Sequence, residues 1–198
     1  SREDIVYTAG LGYTIKLLAI AKQTKNGVDL RVHPTLVADR HLLASVDGVF
    51  NAIYVEGDYS EQQIFQGKGA GESPTGSAVV ADLIDAAKEI LSGNSIRAGR
   101  IAVENKLKLA PFGDVECRHY IRIPAVDQPG VLARIAKIMG DGGISIASVI
   151  QRGKRKKGVV PVVLMTDKAR ESAMAKALSQ IRRLAAVKSS PLRIRVEG

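Results

Sequence analysis

HYIRIPAVDQPGVLARIAKIMGDGGISIASVIQ, residues 119–151, decides the fold. Residues 119–125 alternate as a strand. Asp127-Gln-Pro-Gly130 turns the chain, with Pro129 presetting φ and Gly130 free of a Cβ. Residues 131–139 predict a helix with Val131, Leu132, Ile135 and Ile138 on one face, which Asp141-Gly142-Gly143 breaks. Residues 144–151 read as a second strand. Working outward to the C-terminus, VVPVVLMT (159–166) is a strand. Residues 168–184 carry Ala173, Ala177, Ile181 and Leu184 at helical spacing, and PLRIRV (191–196) is a last strand. The order β-α-β-β-α-β predicts a ferredoxin-like sandwich of one antiparallel sheet and two helices.

Working outward to the N-terminus, residues 94–116 lack periodicity and read as a linker. Residues 72–91 predict a helix with Val79, Leu83, Ala86, Ala87, Ile90 and Leu91 as its stripe. Ser73 is its expected cap, Pro74 its first residue and Gly93 its end. Ahead of it stands Gly67-Lys-Gly-Ala-Gly71, reached from strands at 48–56 and 61–66. Residues 13–22 and 28–36 predict a hairpin around Asn26-Gly27, the composition of a type I′ turn. Alternation in the second strand sets Val28, Leu30 and Val32 on one face and Asp29, Arg31 and His33 on the other, with the apolar side expected inward. Residues 2–11 predict a short helix behind a Ser1/Asp4 capping box.

The 198 residues are 45% hydrophobic and 25% charged, a globular composition of one or two domains. The charge is uneven. Residues 1–93 hold 8 Lys+Arg against 12 Asp+Glu, whereas residues 94–198 hold 21 against 8. The basic half raises nucleic acid as a partner, but KRKK (154–157) stands without Trp, with only Phe112 and Tyr120 as aromatics in that half. A soluble hairpin tip is the expectation. One cysteine, Cys117, excludes an internal disulfide and a Cys-rich zinc site, and a reducing cytoplasmic setting is expected. No signal peptide or membrane span is visible. The first residue is Ser1, and the expectation is a piece of a longer protein.

Three features carry candidate chemistry. The Gly67–Gly71 loop ahead of a helix can present backbone N–H groups to an anionic ligand, or can be a tight turn. It fits neither the dinucleotide fingerprint nor the Walker loop. Asp127 and the N–H groups after it can hold the ammonium and carboxylate of an amino acid, or can simply cap a helix. His33, His41 and His119 are scattered. Cys117 and His119 are neighbours with no third group in the sequence, so neither a metal site nor a Cys/His hydrolase is expected. Glu56 and Asp58 read as solvated.

Two resemblances join these features. LGYTIKLLAIA (11–21), VDLRVHPTL (28–36), ASVDGVFNAIYVEGD (44–58) and GKGAGESPTGSAVVAD (67–82) occur in the order found in bacterial homoserine dehydrogenases, which residues 1–93 resemble. VDQPGVLARIA (126–136) and ISIASVIQ (144–151) resemble an ACT domain, covering 117–198. Leu42 stands where that family commonly has Pro, and Asp167 stands in a Thr-His-type position. The resemblance implies an α+β chain: part of a catalytic and dimerisation domain at 1–93, a linker at 94–116 and a βαββαβ regulatory domain. It implies NAD(P)-dependent interconversion of homoserine and aspartate semialdehyde by the whole enzyme. Gly71 and then Gly69 would contact the cofactor. Threonine, as feedback inhibitor, would meet Asp127, Gly130, Val131, Leu132 and Ile146. Lys16 matches a strand lysine rather than the catalytic one. The family's nucleotide-binding domain and catalytic lysine have no counterpart here, so no catalytic residue is assigned. This chain alone is expected to be inactive and to bind no cofactor tightly. A homo-oligomer is expected, and neither a membrane nor nucleic acid as partner. A stand-alone amino-acid-binding module is the alternative.

Overall fold

A computed structural model describes residues 1–93, 107–151 and 158–197. The basic loop at 154–157 and most of the expected linker lie outside the described residues. The chain forms two compact units, residues 1–39 with 107–198, and residues 40–106.

The first unit holds α1 (Arg2–Ala9), β1 (Tyr13–Thr24), β2 (Gly27–Ala38), β5 (Glu116–Val126), α3 (Val131–Asp141), β6 (Ile146–Ile150), β7 (Val159–Thr166), β8 (Ala169–Arg170), α4 (Glu171–Arg182) and β9 (Leu192–Glu197). Its main sheet runs β1-β2-β9-β5-β7-β6, and β8 pairs with the start of β5. The four strands β9-β5-β7-β6, with α3 and α4, are the expected ferredoxin-like sandwich. One core cluster gathers Ile121, Ile123, Val162 and Leu164 from the sheet, Val131, Ile135 and Met139 from α3, and Met174, Ala177 and Ile181 from α4. The i, i+4 spacing of these helical residues explains their shared face. A second cluster gathers Leu36, Tyr120, Val163, Met165, Ile194 and Val196, with Tyr7, Leu11 and Tyr13 against it.

Packing therefore divides the chain elsewhere than composition does. Thr35–Val37 of β2 pair with Arg195–Glu197 of β9, adding the N-terminal hairpin to the β9-β5-β7-β6 sheet. α1 is tied to β5 chiefly by the Asp4 carboxylate, with Glu3 standing 3.8 Å from Arg122. Asp4 Oδ1 accepts from Arg122 Nε at 2.6 Å and from Tyr120 Oη at 3.1 Å.

The hairpin departs from expectation twice. Its two-residue loop is Lys25-Asn26, since Thr24 pairs with Gly27. Glu61 is the only described non-glycine residue with positive φ, so the turn is not type I′. Gly27, at φ +126, is needed for another reason: a Cβ there would collide with the carbonyl of Lys108, which accepts a hydrogen bond from Val28 N at 2.8 Å. The faces of β2 are also reversed. Asp29 and Arg31 are 5% and 6% exposed, while Leu30 and Val32 are 56% and 73% exposed. Charge pairing is the reason. Arg31 bonds Asp29 at 2.9 Å and Glu197 at 2.6 Å, and Glu197 also takes Lys22.

The second unit holds a 3-10 turn (Leu42–Ser45), β3 (Phe50–Gly57), β4 (Glu61–Lys68) and α2 (Glu72–Leu91). His41 caps the 3-10 turn, its Nδ1 accepting from Leu43 N at 3.1 Å. β3 and β4 form an antiparallel pair. The N-cap of α2 lies two residues before the expected one: it is Gly71, and Ser73 and Pro74 lie inside the first turn. Pro74 fits there because first-turn N–H groups have no intrahelical partner. None of α2 is buried, and Val79, Leu83, Ile90 and Leu91 are each more than half exposed.

Candidate functional site

The glycine loop joins β4 to α2. Gly69 N donates to Val49 O at 2.8 Å, and a Cβ on Gly69 would overlap the Asn51 side chain. Gly71 sits at φ +130, a region L side chains rarely adopt. The turn itself therefore demands Gly71, whereas at Gly69 only the exposed Asn51 side chain would have to move aside. α2 has no side-chain cap, so its leading N–H groups and the positive end of its dipole stay open to an anionic group. Glu56 and Asp58 are exposed, and Glu56 accepts from Tyr54 Oη at 3.3 Å.

The second candidate lies where β5 meets α3. Gly130 is the α3 N-cap at φ +83, with open space where a Cβ would stand. Gln151 Nε2 donates to Asp127 Oδ1 at 3.4 Å, and Asp127 N donates to Gly158 O at 3.3 Å. Val131 is buried in the helix-side core and Ile146, the first residue of β6, packs on that same core. Leu132 is 38% exposed. Asp127 therefore sits at an open turn, braced by the end of the β6 segment, with apolar surface alongside. Val131 N donates to Gln128 O at 3.3 Å, and a carboxylate beside the remaining N–H groups of a helix start suits a zwitterion.

A third cluster is only half visible in the sequence. Cys117 and His119 lie two apart on β5, so their side chains share a face. The third member, Glu171, arrives from the start of α4, and the three ligand atoms lie within 4.8 Å of one another. Cys117 Sγ donates to Glu171 Oε1 at 3.7 Å and stands 3.7 Å from His119 Nε2. Burial, aided by Glu171, pushes the thiol up to about 11, and burial pushes His119 down to about 4. The pair is thus thiol and neutral imidazole, not thiolate and imidazolium. Burial also opposes ionisation of Glu171, but Arg195 outweighs it and the carboxyl is held low. Arg195 grips both its oxygens, at 2.5 and 2.9 Å, and Arg193 stands at 3.0 Å. Two guanidiniums on one carboxylate repel a metal cation, and the cluster is closed to a substrate. Its role is to fix α4 on the sheet. The missing third partner is 54 residues away in sequence, which spacing alone does not reveal.

Comparisons with known proteins follow this geometry. The family profile described as homoserine dehydrogenase matches residues 1–84, and the ACT domain profile matches residues 119–186. A homoserine dehydrogenase from Pseudomonas aeruginosa is 39% identical over 199 residues, covering 98% of this chain and 46% of that protein. One from Synechocystis is 39% identical, covering 99% and 47%. A crystal structure of a homoserine dehydrogenase from Thiobacillus denitrificans superposes with a TM-score of 0.84 at 39% identity, covering all of this chain and 45% of that one. This chain spans a little under half the length of these relatives. With both profiles in order and the similarity running end to end, the chain belongs to the homoserine dehydrogenase family and corresponds to its C-terminal region, an ACT domain included.

Proposed function

We propose that this chain works within an NAD(P)-dependent homoserine dehydrogenase, a cytoplasmic homo-oligomer that interconverts homoserine and aspartate semialdehyde for threonine and methionine synthesis. The observation that carries the reading is identity of 39% sustained over 98% of the chain. NAD(P), when bound, supplies or accepts the hydride. On this reading Gly71, then Gly69, let backbone N–H groups approach the cofactor, and the uncapped start of α2 favours its negative charge. The exposed stripe of α2 supports a unit that is completed by further protein. The proton donor and substrate carboxylates belong to the rest of the enzyme. The expected result for this 198-residue chain is therefore no homoserine-dependent NADP reduction above background. Turnover near that of an intact enzyme overturns this part.

The ACT half binds threonine at the turn, on this reading. Asp127 takes the ammonium group, the N–H groups after Gly130 take the carboxylate, and Val131, Leu132 and Ile146 meet the side chain. Calorimetry with threonine tests it. Saturable heat that Asp127→Ala removes is expected, while no heat at millimolar threonine defeats the assignment. The parallel reading, an amino-acid-binding module without catalysis, predicts the same heat. Fusing the chain to its missing catalytic portion and finding no threonine inhibition would favour that alternative.

A further inference from the structure

The sheet of the first unit is covered unevenly on the face opposite α3 and α4. α1 lies on that face, with Tyr7 and Leu11 packed against the cluster that holds Leu36, Tyr120 and Val196. Beyond Leu36 the β1–β2 hairpin runs on bare. Its register sets Leu17 opposite Pro34, Ala19 opposite Val32 and Ala21 opposite Leu30. Alternation places these residues on the face that Leu36 shares. Leu17, Leu30 and Val32 are 74%, 56% and 73% exposed. None of these positions carries a charge, whereas Lys16, Lys22, Asp29 and Arg31 alternate onto the other face.

Between this patch and α1 runs a groove along the edge strand β1. Its volume is about 410 Å³, and Ile5, Thr8, Ala9, Tyr13 and Ile15 are among its lining residues. Ile5 is 59% exposed. An uncharged sheet face beside a helix with an open flank is a layer only partly built. α1 stands roughly 10 Å proud of the sheet, so the bare patch is a recess beside it. Helices pack roughly 8–10 Å apart. One more helix laid beside α1 would therefore set its flank in the groove and its underside on Leu17 and Val32. A flat sheet face from a second copy fits such a recess less well than a rod does.

The source of that helix follows from length. This chain covers 46% of the Pseudomonas aeruginosa relative and 47% of the Synechocystis one, so more than half of each lies outside the region matched. We propose that the bare β1–β2 face and the groove beside α1 seat a helix from the catalytic portion of the longer enzyme, its uncharged apolar stripe on Leu17, Leu30 and Val32. This rests on the reading of the chain as part of a homoserine dehydrogenase. One sheet then serves both halves, because β2 carries that helix and also pairs with β9 of the ACT-domain sheet.

The test is thiol labelling. Val32→Cys adds an exposed thiol to a chain whose own Cys117 is buried. Reaction with N-ethylmaleimide, read at position 32 by peptide mass spectrometry, is compared in the 198-residue chain and in the same chain joined to its catalytic portion. The short chain should label fast, and the longer protein at least about a hundredfold more slowly, through local opening alone. As a second measurement, Val32→Lys should lower the melting temperature of the longer protein by roughly 5 °C more than that of the short chain, since the ammonium group would be buried without a partner. Fast labelling of both forms overturns the proposal, as does a Val32→Lys effect equal in both. Slow labelling of the short chain also overturns it: a rate that rises on dilution assigns the face to a second copy, and a rate indifferent to dilution assigns it to this chain's own residues. Labelling needs no turnover. Protection in a longer protein that does not reduce NADP with homoserine would defeat the functional reading and leave this proposal standing.

Discussion

Asp4 shows how one side chain can join two parts of a chain far apart in sequence. Burial alone would raise its carboxyl, but hydrogen bonds from Arg122 and Ser1 outweigh burial and hold it well below the usual carboxylate range. Asp4→Ala takes the close, hydrogen-bonded carboxylate from the Arg122 guanidinium, itself only 16% exposed, and leaves it Glu3 at 3.8 Å. The expected cost is roughly 3 kcal/mol, read from urea unfolding at pH 7. His119 gives a pH signature of its own. A base with a folded pKa near 4 and an unfolded value near 6.5 binds fewer protons when folded. Its contribution is therefore intact above about pH 6.5 and is lost as pH falls towards 4. Unfolding free energy should drop by up to roughly 3 kcal/mol across that window, and His119→Gln should flatten the drop. The spacing of Cys117 and His119 was legible in the sequence. Their surroundings were not, because Glu171, Arg193 and Arg195 come from other elements and fix the protonation states.

Elements with strong local signals were legible almost to the residue. β7 falls at Val159–Thr166, the strand-length apolar run read there, and α1 follows its Ser1/Asp4 capping box. Period alone reports which residues share a face, not which face is covered. β2 shows the difference: Asp29 and Arg31 face inward because they pair with each other and Arg31 also pairs with Glu197, which Lys22 holds in turn. The β4–α2 junction misled for a different reason. Ser73 and Pro74 are good helix openers, but the φ of Gly71 starts the helix earlier. Gly130 offers a clean test of backbone demand. With no crowding at its Cβ position, Gly130→Ala should cost about 1 kcal/mol through positive φ alone, measured by thermal melting. α2 offers another. A helix with no buried residue gains little from packing. Its amides should exchange with deuterium far sooner than those of β5 or α3, whose Ile121, Ile123 and Ile135 are fully buried. Slow exchange along α2 would contradict that.

At the scale of the whole molecule, the two family segments do not coincide with the two bodies that pack. The homoserine dehydrogenase profile begins at residue 1, yet residues 1–39 complete the sheet of the unit that carries the ACT domain. A ferredoxin-like sandwich covers one sheet face with its helices and leaves the other to be covered by something else. Here Tyr7, Leu11, Tyr13 and Leu36 supply part of that cover over Tyr120, Val163, Met165, Ile194 and Val196. β2 also pairs the outer edge of β9, and a bare strand edge invites association. Residues 107–198 produced alone should therefore be destabilised and prone to associate. Loss of even 2 kcal/mol would lower the melting temperature by roughly 10 °C in a domain of this size. Size-exclusion chromatography should show larger species, and a peptide of residues 1–39 added back should restore part of the lost melting temperature. If residues 107–198 instead melt with the intact chain and stay equally dispersed, the N-terminal segment is not structural support for the ACT-domain sheet. The hairpin would then be an appended strand pair that can come and go. If the truncation behaves as expected, a signal that strains β5 at the Asp127 turn has a packed route to α1, through Tyr120, Arg122 and Asp4.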